Sequence, residues 1–175
     1  MRSATNYRVR LKLLRSGLPR LVIRKTNSSV ITQIIISEYE SNRVKDITMF
    51  HAYGRELYSF GWPFSYKNVM AAYLTGYLIA KKASNLKSEI IVDKGLYTLH
   101  PNSFVFFVIK GAIDGGLKVR AGEINISNER LLGLHIKHIS ELSKGNQFRK
   151  VKDKINDISK IFQDVKNRID EKYGK

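Results

Sequence analysis

The chain has 175 residues and carries 31 Lys and Arg against 15 Asp and Glu, which gives a formal net charge of +16. Its hydrophobic content of 43% is too high for a disordered tail, and its length suits one domain with a small appendage. Because the chain contains no Cys, it excludes disulfide frameworks, zinc ribbons and thiol catalysis, and it suits the reducing cytoplasm.

Half of the net charge, +8 of +16, lies in the first 37 residues, which contain eight basic residues and no acid. Such a segment repels itself unless a polyanion neutralises it, so it predicts a surface for nucleic acid or, as the second choice, for an acidic membrane. An acid-free, Arg-rich start is also typical of transit peptides, but this one runs directly into a strand-like stretch. We interpret residues 1–19 as a basic N-terminal arm.

The next elements follow from hydrophobic periodicity and turn residues. Strands are predicted at 20–25, 30–36 and 44–50, a short helix or turn at 53–60, a helix at 68–85, a strand at 89–93 and a helix at 103–114. Three antiparallel strands followed by helix, strand and helix predict a three-layer α/β/α fold with a mixed sheet, in which a parallel crossover strand joins the meander. This core spans residues 20–143.

The rest of the chain is predicted to be helical. Ser127 is a candidate N-cap for a third helix that runs to Leu142. Residues 144–175 form a C-terminal helical extension, with a hinge at 145–147 and an apolar seam of heptad spacing from Val151 to Ile169. The seam either folds back onto the domain or binds another protein or a second copy of the chain.

The sequence offers little for catalysis. The pair His135 and His138 has no neighbouring carboxylate, so a metal site is not predicted. The order of elements resembles ribonuclease H, but Asp93 and Asp114 are too few for a two-metal nuclease. No glycine-rich phosphate loop occurs, so no nucleotide cofactor is expected. We predict that the protein is not an enzyme and needs no cofactor.

Structured RNA is the partner that the basic segment favours. Cations neutralise phosphates, hydroxyl and amide groups reach sugars and base edges, and Tyr7 either stacks on an unpaired base or packs on the domain. Arginines are expected to make the ordered contacts and the two lysines to supplement them. The candidate residues are Tyr7, Arg8, Arg10, Lys12, Arg15, Arg20, Arg24, Lys25, Thr26, Asn27 and Ser28.

Several blocks of the sequence resemble the family of the universal large-subunit ribosomal protein eighteen. Pro19–Asn27 with Val30–Ile31 and Gln33–Ile35 is similar to the opening hairpin of that family. Six further blocks follow in collinear order: His51–Ala52 with Arg55–Leu57, Phe60–Trp62, Ala71–Gly76, Asp93–Leu96, Ile109–Leu117 and Asn128–Gly133. The Ala71–Gly76 block is similar to the archaeal and eukaryotic branch. The resemblance covers residues 7–143.

This resemblance implies a structural role in the large ribosomal subunit, in the cytoplasm. The basic arm and first hairpin would bind 5S ribosomal RNA and help attach it to the central protuberance, beside 23S-type RNA and neighbouring ribosomal proteins. It extends the candidate RNA contacts to His51, Arg55, Lys67 and Asn68. The loop before Ala71 departs from the Asn-Thr-Pro-like turn of the family. The alternative function is a module for some other structured RNA.

Overall fold

The structure is a computed structural model that describes residues 5–40, 43–142 and 152–174. Its central sheet contains β1 (Arg20–Lys25), β2 (Val30–Glu40), β3 (Arg43–Tyr53), β4 (Ile90–Asp93) and β5 (Val119–Arg120), in the order β3-β2-β1-β4-β5. The pairs β1–β2 and β2–β3 are antiparallel, whereas β1–β4 and β4–β5 are parallel. The predicted mixed sheet is therefore confirmed. The two-residue strand β5 was not predicted.

The helices of the described residues are α1 (Tyr7–Arg15), α2 (Val69–Lys82), α3 (Phe104–Asp114), α4 (Asn128–Leu131), α5 (Leu134–Leu142), α6 (Lys152–Ile155) and α7 (Ile158–Tyr173), with a 3₁₀ helix at Gly54–Phe60. The prediction of one continuous helix after Ser127 is wrong. Ser127 caps α4 as expected, but the chain turns at Gly133, which adopts a left-handed φ of 73° and separates α4 from α5.

Both faces of the sheet are covered by helices. Along β1, Leu21 and Ile23 are completely buried in the core with α2, whose residues 70–80 are all buried. The opposite face is covered at one end by α1, where Arg10 pairs with Asp46 of β3. Helices on both sides of a mixed sheet give the predicted three-layer arrangement.

Helices α2 and α3 touch backbone to backbone. A Cβ atom added to Gly76 would fall far inside van der Waals distance of the Val108 carbonyl oxygen, and one added to Gly111 would meet the Tyr73 carbonyl oxygen in the same way. The two helices approach this closely because each presents a glycine at the crossing, which removes the side chain that would hold the axes apart.

The C-terminal apolar seam packs on the chain's own core. Ile155, Ile158, Phe162, Val165 and Ile169 are all buried, and the ring of Phe162 lies 5.5 Å from that of Tyr73 in α2. The first of the two predicted alternatives is therefore confirmed. Val151 and the proposed hinge at 145–147 lie outside the described residues.

Polar contacts also hold α7 in place. Asp170 accepts a hydrogen bond of 2.8 Å from the Tyr77 hydroxyl and forms an ion pair of 2.9 Å with Lys81. Burial raises the pKa of Asp170, but the hydrogen bonds from Lys81 and Tyr77 outweigh burial, and the net pKa lies below the ordinary value. Arg168 donates a hydrogen bond of 2.9 Å to the carbonyl oxygen of Phe60.

Candidate nucleic-acid interface

The basic arm contains a helix that sequence analysis did not predict. Asn6 caps α1, since its side-chain oxygen accepts a hydrogen bond of 3.2 Å from the amide of Val9. Arg8, Lys12 and Arg15, at spacings of four and three residues, lie on one face of the helix and are all exposed. We call these three residues the helix stripe. Tyr7, 70% exposed, begins the same helix.

Arg10 points away from the helix stripe into a set of charged residues between α1 and the sheet. We call this set the charge cluster, and it consists of Arg10, Arg20, Arg24, Asp46 and Asp93. Asp46 pairs with Arg10 at 2.9 Å and with Arg20 at 2.7 Å, while Asp93 pairs with Arg20 at 3.4 Å and with Arg24 at 3.2 Å.

The placement of Arg20 corrects one sequence-based assignment. Its side chain is only 2% exposed, and its guanidinium also donates to the hydroxyl of Ser37. An arginine enclosed in this way neutralises carboxylates inside the protein and is not available to a phosphate. Arg20 was assigned to RNA because its charge is visible in the sequence, whereas its partners, Asp46 and Asp93, come from strands far along the chain.

The charge cluster also determines the ionisation of Asp46. Burial raises the pKa of Asp46, but hydrogen bonds from Ser37 and Arg20 and the charge of Arg20 outweigh burial, so that the net pKa lies below 3.8. The two carboxylates nearest to the basic arm, Asp46 and Asp93, are thus both paired with arginines, and the lowered pKa keeps Asp46 ionised at neutral pH. Their pairing removes most of the repulsion that they would exert on a polyanion.

We expect Arg20→Met to lower the free energy of unfolding by about 2 kcal/mol at pH 7, because Asp46 and Asp93 lose a buried partner. The loss is limited because Asp46 keeps its ion pair with Arg10, Asp93 keeps its ion pair with Arg24, and both carboxylates stay partly exposed to solvent. A carboxylate with a lowered pKa contributes stability above its unfolded pKa and loses it as pH falls through the folded value. The difference from the wild type should therefore shrink below about pH 4. Urea unfolding at pH 7 and pH 3 measures both effects.

Lys45→Met is the control for that measurement, because Lys45 is exposed on strand β3 and forms no part of the charge cluster. It should change the free energy of unfolding by less than about 0.5 kcal/mol. Equal losses in the two variants, or a loss in Arg20→Met that does not change with pH, would contradict the role assigned to the charge cluster.

The turn between β1 and β2 presents the polar residues predicted to contact RNA. The hydroxyl oxygen of Thr26 accepts hydrogen bonds from the amides of Ser28, at 3.4 Å, and Ser29, at 3.0 Å, which fixes the turn. Asn27 and Ser28 are exposed at its tip. Lys25 is exposed, while its backbone amide and carbonyl both bond to the Tyr97 hydroxyl.

A second segment joins this turn and brings further candidates to it. Arg55, at the start of the 3₁₀ helix, donates a hydrogen bond of 3.0 Å to the hydroxyl of Ser28. The amide of Val30 donates to the carbonyl oxygen of Tyr66, so that the exposed Lys67 follows directly beside the turn. We call Lys25, Asn27, Ser28, Arg55 and Lys67 the hairpin surface.

Two of the predicted RNA contacts, Asn68 and His51, also contact other residues of the protein. Asn68 is the N-cap of α2, and its side-chain oxygen accepts a hydrogen bond of 2.7 Å from the amide of Ala71. This oxygen is therefore engaged inside the protein. His51 is exposed on β3, with its ring 5.3 Å from that of Tyr53. Tyr53 was not among the predicted residues, although its place two residues after His51 in a strand puts both on one face.

Arg24 lies close to the face of α1 that carries Arg10 and precedes Lys25 of the hairpin surface. Its guanidinium donates to the carbonyl oxygens of Ile23 and Asp93, and its side chain remains 42% exposed. It lines a cleft of about 520 Å³ that also includes Asn6, the N-cap of α1, Arg10 of α1 and Tyr97 of the loop after β4. Arg10 and Arg24 therefore border a cleft between α1 and the loop after β4, whose Tyr97 bonds to Lys25 of the first hairpin.

Other kinds of site can be compared with this surface. In residues 5–40, 43–142 and 152–174, no group of three or more His, Asp and Glu side chains is arranged to hold a metal ion. Across the same ranges, no helix combines the length and apolar character needed to cross a bilayer.

Comparisons with known proteins identify the family of this chain. Residues 2–90 match the family described as "Ribosomal large subunit proteins 60S L5, and 50S L18". The "Large ribosomal subunit protein uL18" of Methanoculleus marisnigri is 46% identical over 134 residues, which cover 75% of this chain and 74% of that protein. An identity this high over most of both chains establishes common descent and a common fold, and the chain therefore belongs to the uL18 family of large-subunit ribosomal proteins, in its archaeal form.

Proposed function

We propose that this chain binds 5S ribosomal RNA through the helix stripe and the hairpin surface and helps attach that RNA to the central protuberance of the large subunit. The observation that carries the proposal is that the cations of the helix stripe and of the hairpin surface are exposed to solvent, while the nearby Asp46 and Asp93 are paired with arginines. Ribosomal RNA is the polyanion that a ribosomal protein meets.

Family membership gives the setting of this proposal. The chain is a structural protein of the large ribosomal subunit and not an enzyme, and ribosomal RNA and other ribosomal proteins are its partners. Its function is thus to neutralise and shape RNA. Contacts with 23S-type RNA and with particular neighbouring proteins are part of the proposal.

The proposed contacts are of two kinds: some bind the phosphate backbone of the RNA, and others contact its riboses and bases. Arg8, Lys12 and Arg15 present their charges along one face of α1, so they would bind phosphates along the backbone. At the hairpin surface, Asn27 and Ser28 supply amide and hydroxyl groups that reach ribose hydroxyls and base edges. If about six phosphates are neutralised, the logarithm of affinity falls against the logarithm of salt concentration with a slope of roughly −4 to −5.

Competition between two RNAs tests the proposal. The protein is mixed with labelled archaeal 5S ribosomal RNA at about 0.1 M salt, and unlabelled transfer RNA is added in increasing excess. We expect the complex with 5S RNA to persist at a hundredfold excess, because shape-specific contacts add to the common phosphate term. If transfer RNA displaces 5S RNA at equal concentration, the protein is a module for structured RNA in general and the 5S assignment fails.

A further inference from the structure

We propose that an unpaired base of the bound RNA stacks on the ring of Tyr53, beside the hairpin surface. This inference rests on the proposed function, and it adds that the nucleotide bound at this end of the sheet is unpaired. It also assigns a contact to a residue outside the set predicted from the sequence.

Tyr53 lies on the sheet face that points away from α2. In the pairing of β2 with β3 it stands opposite Ile31, and His51 lies on the same face two residues earlier. Ala52, between them, points to the core and is completely buried. Helix α1 lies over the other end of this face, beside Asp46, and Tyr53 remains 38% exposed.

The two rings on this face form an aromatic site. Their centroids are 5.3 Å apart and their planes are tilted by 55°, and His51 is exposed as well. Every nucleobase has a π face that can stack on such a ring, so stacking does not depend on the RNA sequence. An aromatic ring on an open strand, next to cations, is therefore suited to a base rather than to a phosphate.

The space in front of Tyr53 suits a single nucleotide. An opening of about 640 Å³ lies between the first turn and the 3₁₀ helix, lined by Thr26, Ser28, Ile31, Tyr53, Arg55 and Glu56. This volume falls in the range of small-ligand sites. The hydrogen bond between Arg55 and Ser28 holds a guanidinium at the rim, where the phosphate of a stacked nucleotide would lie.

Glu56 is the acidic residue of this opening, and its charge is already compensated. Its carboxylate accepts a hydrogen bond of 2.9 Å from the backbone amide of Tyr53 and forms an ion pair with Lys82. It therefore fixes the start of the 3₁₀ helix and opposes an incoming phosphate little. Arg55, which lines the opening, supplies a cation there.

The concave shape favours an unpaired nucleotide over a duplex. In an A-form helix the bases are stacked on each other, and the deep groove hides their edges from side chains. A base can enter a site between a turn and a 3₁₀ helix only when it is splayed out of the stack. Loops and bulges of a folded RNA provide such bases, and Tyr53 is placed to capture one.

Binding measurements on three variants test this inference. We expect Tyr53→Leu to weaken binding of archaeal 5S ribosomal RNA about tenfold, because the stacking of one base is lost. The salt slope should not change, because no phosphate contact is lost. Tyr53→Phe keeps the ring and should bind within about twofold of the wild type. Tyr58→Leu is the matched control, since Tyr58 is 75% exposed and outside the opening. It should also stay within about twofold of the wild type.

A double-mutant cycle identifies the base. A series of 5S transcripts, each with an abasic site at one unpaired position, is bound to the wild type and to Tyr53→Leu. At one position the abasic site should weaken the wild type about tenfold and leave Tyr53→Leu unchanged. Additive losses at every position, or equal losses in the Leu and Phe variants, would overturn the inference.

Two controls keep this outcome separate from other failures. Circular dichroism confirms that each variant is folded, and Tyr53→Thr, which has high strand propensity, replaces the Leu variant if that variant misfolds. If the wild type does not prefer 5S RNA over transfer RNA, the proposed function fails. If it does prefer 5S RNA and Tyr53→Leu binds as tightly as Tyr58→Leu, the stacking inference alone fails.

Discussion

Replacing Gly111 with Ala is expected to prevent folding or to lower the free energy of unfolding by about 3 kcal/mol or more. In an exposed helix the same change would stabilise by about 1 kcal/mol, because Ala has the higher helix propensity. Here the added methyl group meets the carbonyl oxygen of Tyr73 in the facing helix. Backbone atoms cannot rotate away as a side chain does, so α2 and α3 must separate and open the core.

Gly76→Ala is expected to have an effect of the same size, because its methyl group meets the carbonyl oxygen of Val108 across the same crossing. The matched control is Gly122→Ala, since a Cβ atom at Gly122 would meet nothing within 4 Å. Chemical denaturation of the three variants gives the comparison. If Gly111→Ala unfolds within about 1 kcal/mol of Gly122→Ala, the helices do not depend on the close approach.

Reversing the three charges of the helix stripe, with Glu at Arg8, Lys12 and Arg15, should weaken 5S RNA binding at least about a hundredfold at 0.1 M salt. Each of these side chains is exposed and lies on one face of α1. If each neutralises one phosphate, the salt slope should become shallower by about 2 to 3. Filter binding at four salt concentrations measures affinity and slope together.

The control carries the same change in net charge at other places. Glu at Lys87, Lys118 and Lys137 also lowers the net charge by six, and all three lysines are exposed outside the proposed interface. Because screening limits long-range attraction at this salt concentration, we expect a loss of less than about fivefold and a nearly unchanged slope. Equal losses in both triple variants would mean that binding depends on total charge and not on α1.

Local sequence patterns predicted most of the fold. Strand β1 has the bounds expected from its apolar run after Pro19, and the Asn68 cap marks the start of α2. The helix predicted after Ser127 failed because its apolar spacing continues through Gly133, and only the left-handed φ of that residue shows the break. Strand β5 is too short to have any period of its own.

The candidate interface could be predicted from the sequence where the charge of a residue is enough to indicate that it is exposed. The residues of the helix stripe belong to an acid-free segment, and they are exposed as expected. Arg20 belongs to the same segment and is buried, because two carboxylates from β3 and β4 enclose it. Tyr53 shows the converse limit, since the sequence placed it in a short helix or turn, and only the register of the sheet puts it on one face with His51.

The packing of α7 on α2 can form only late in translation, because α7 is synthesised long after α2. Helix α7 begins about 75 residues after α2 ends, so translation at roughly 5–20 residues per second separates the two by about 4 to 15 seconds. During this interval the face of α2 around Tyr73 lacks the Phe162 ring that later covers it. The nascent protein therefore carries an uncovered apolar face for seconds after its basic segment has emerged and can meet RNA.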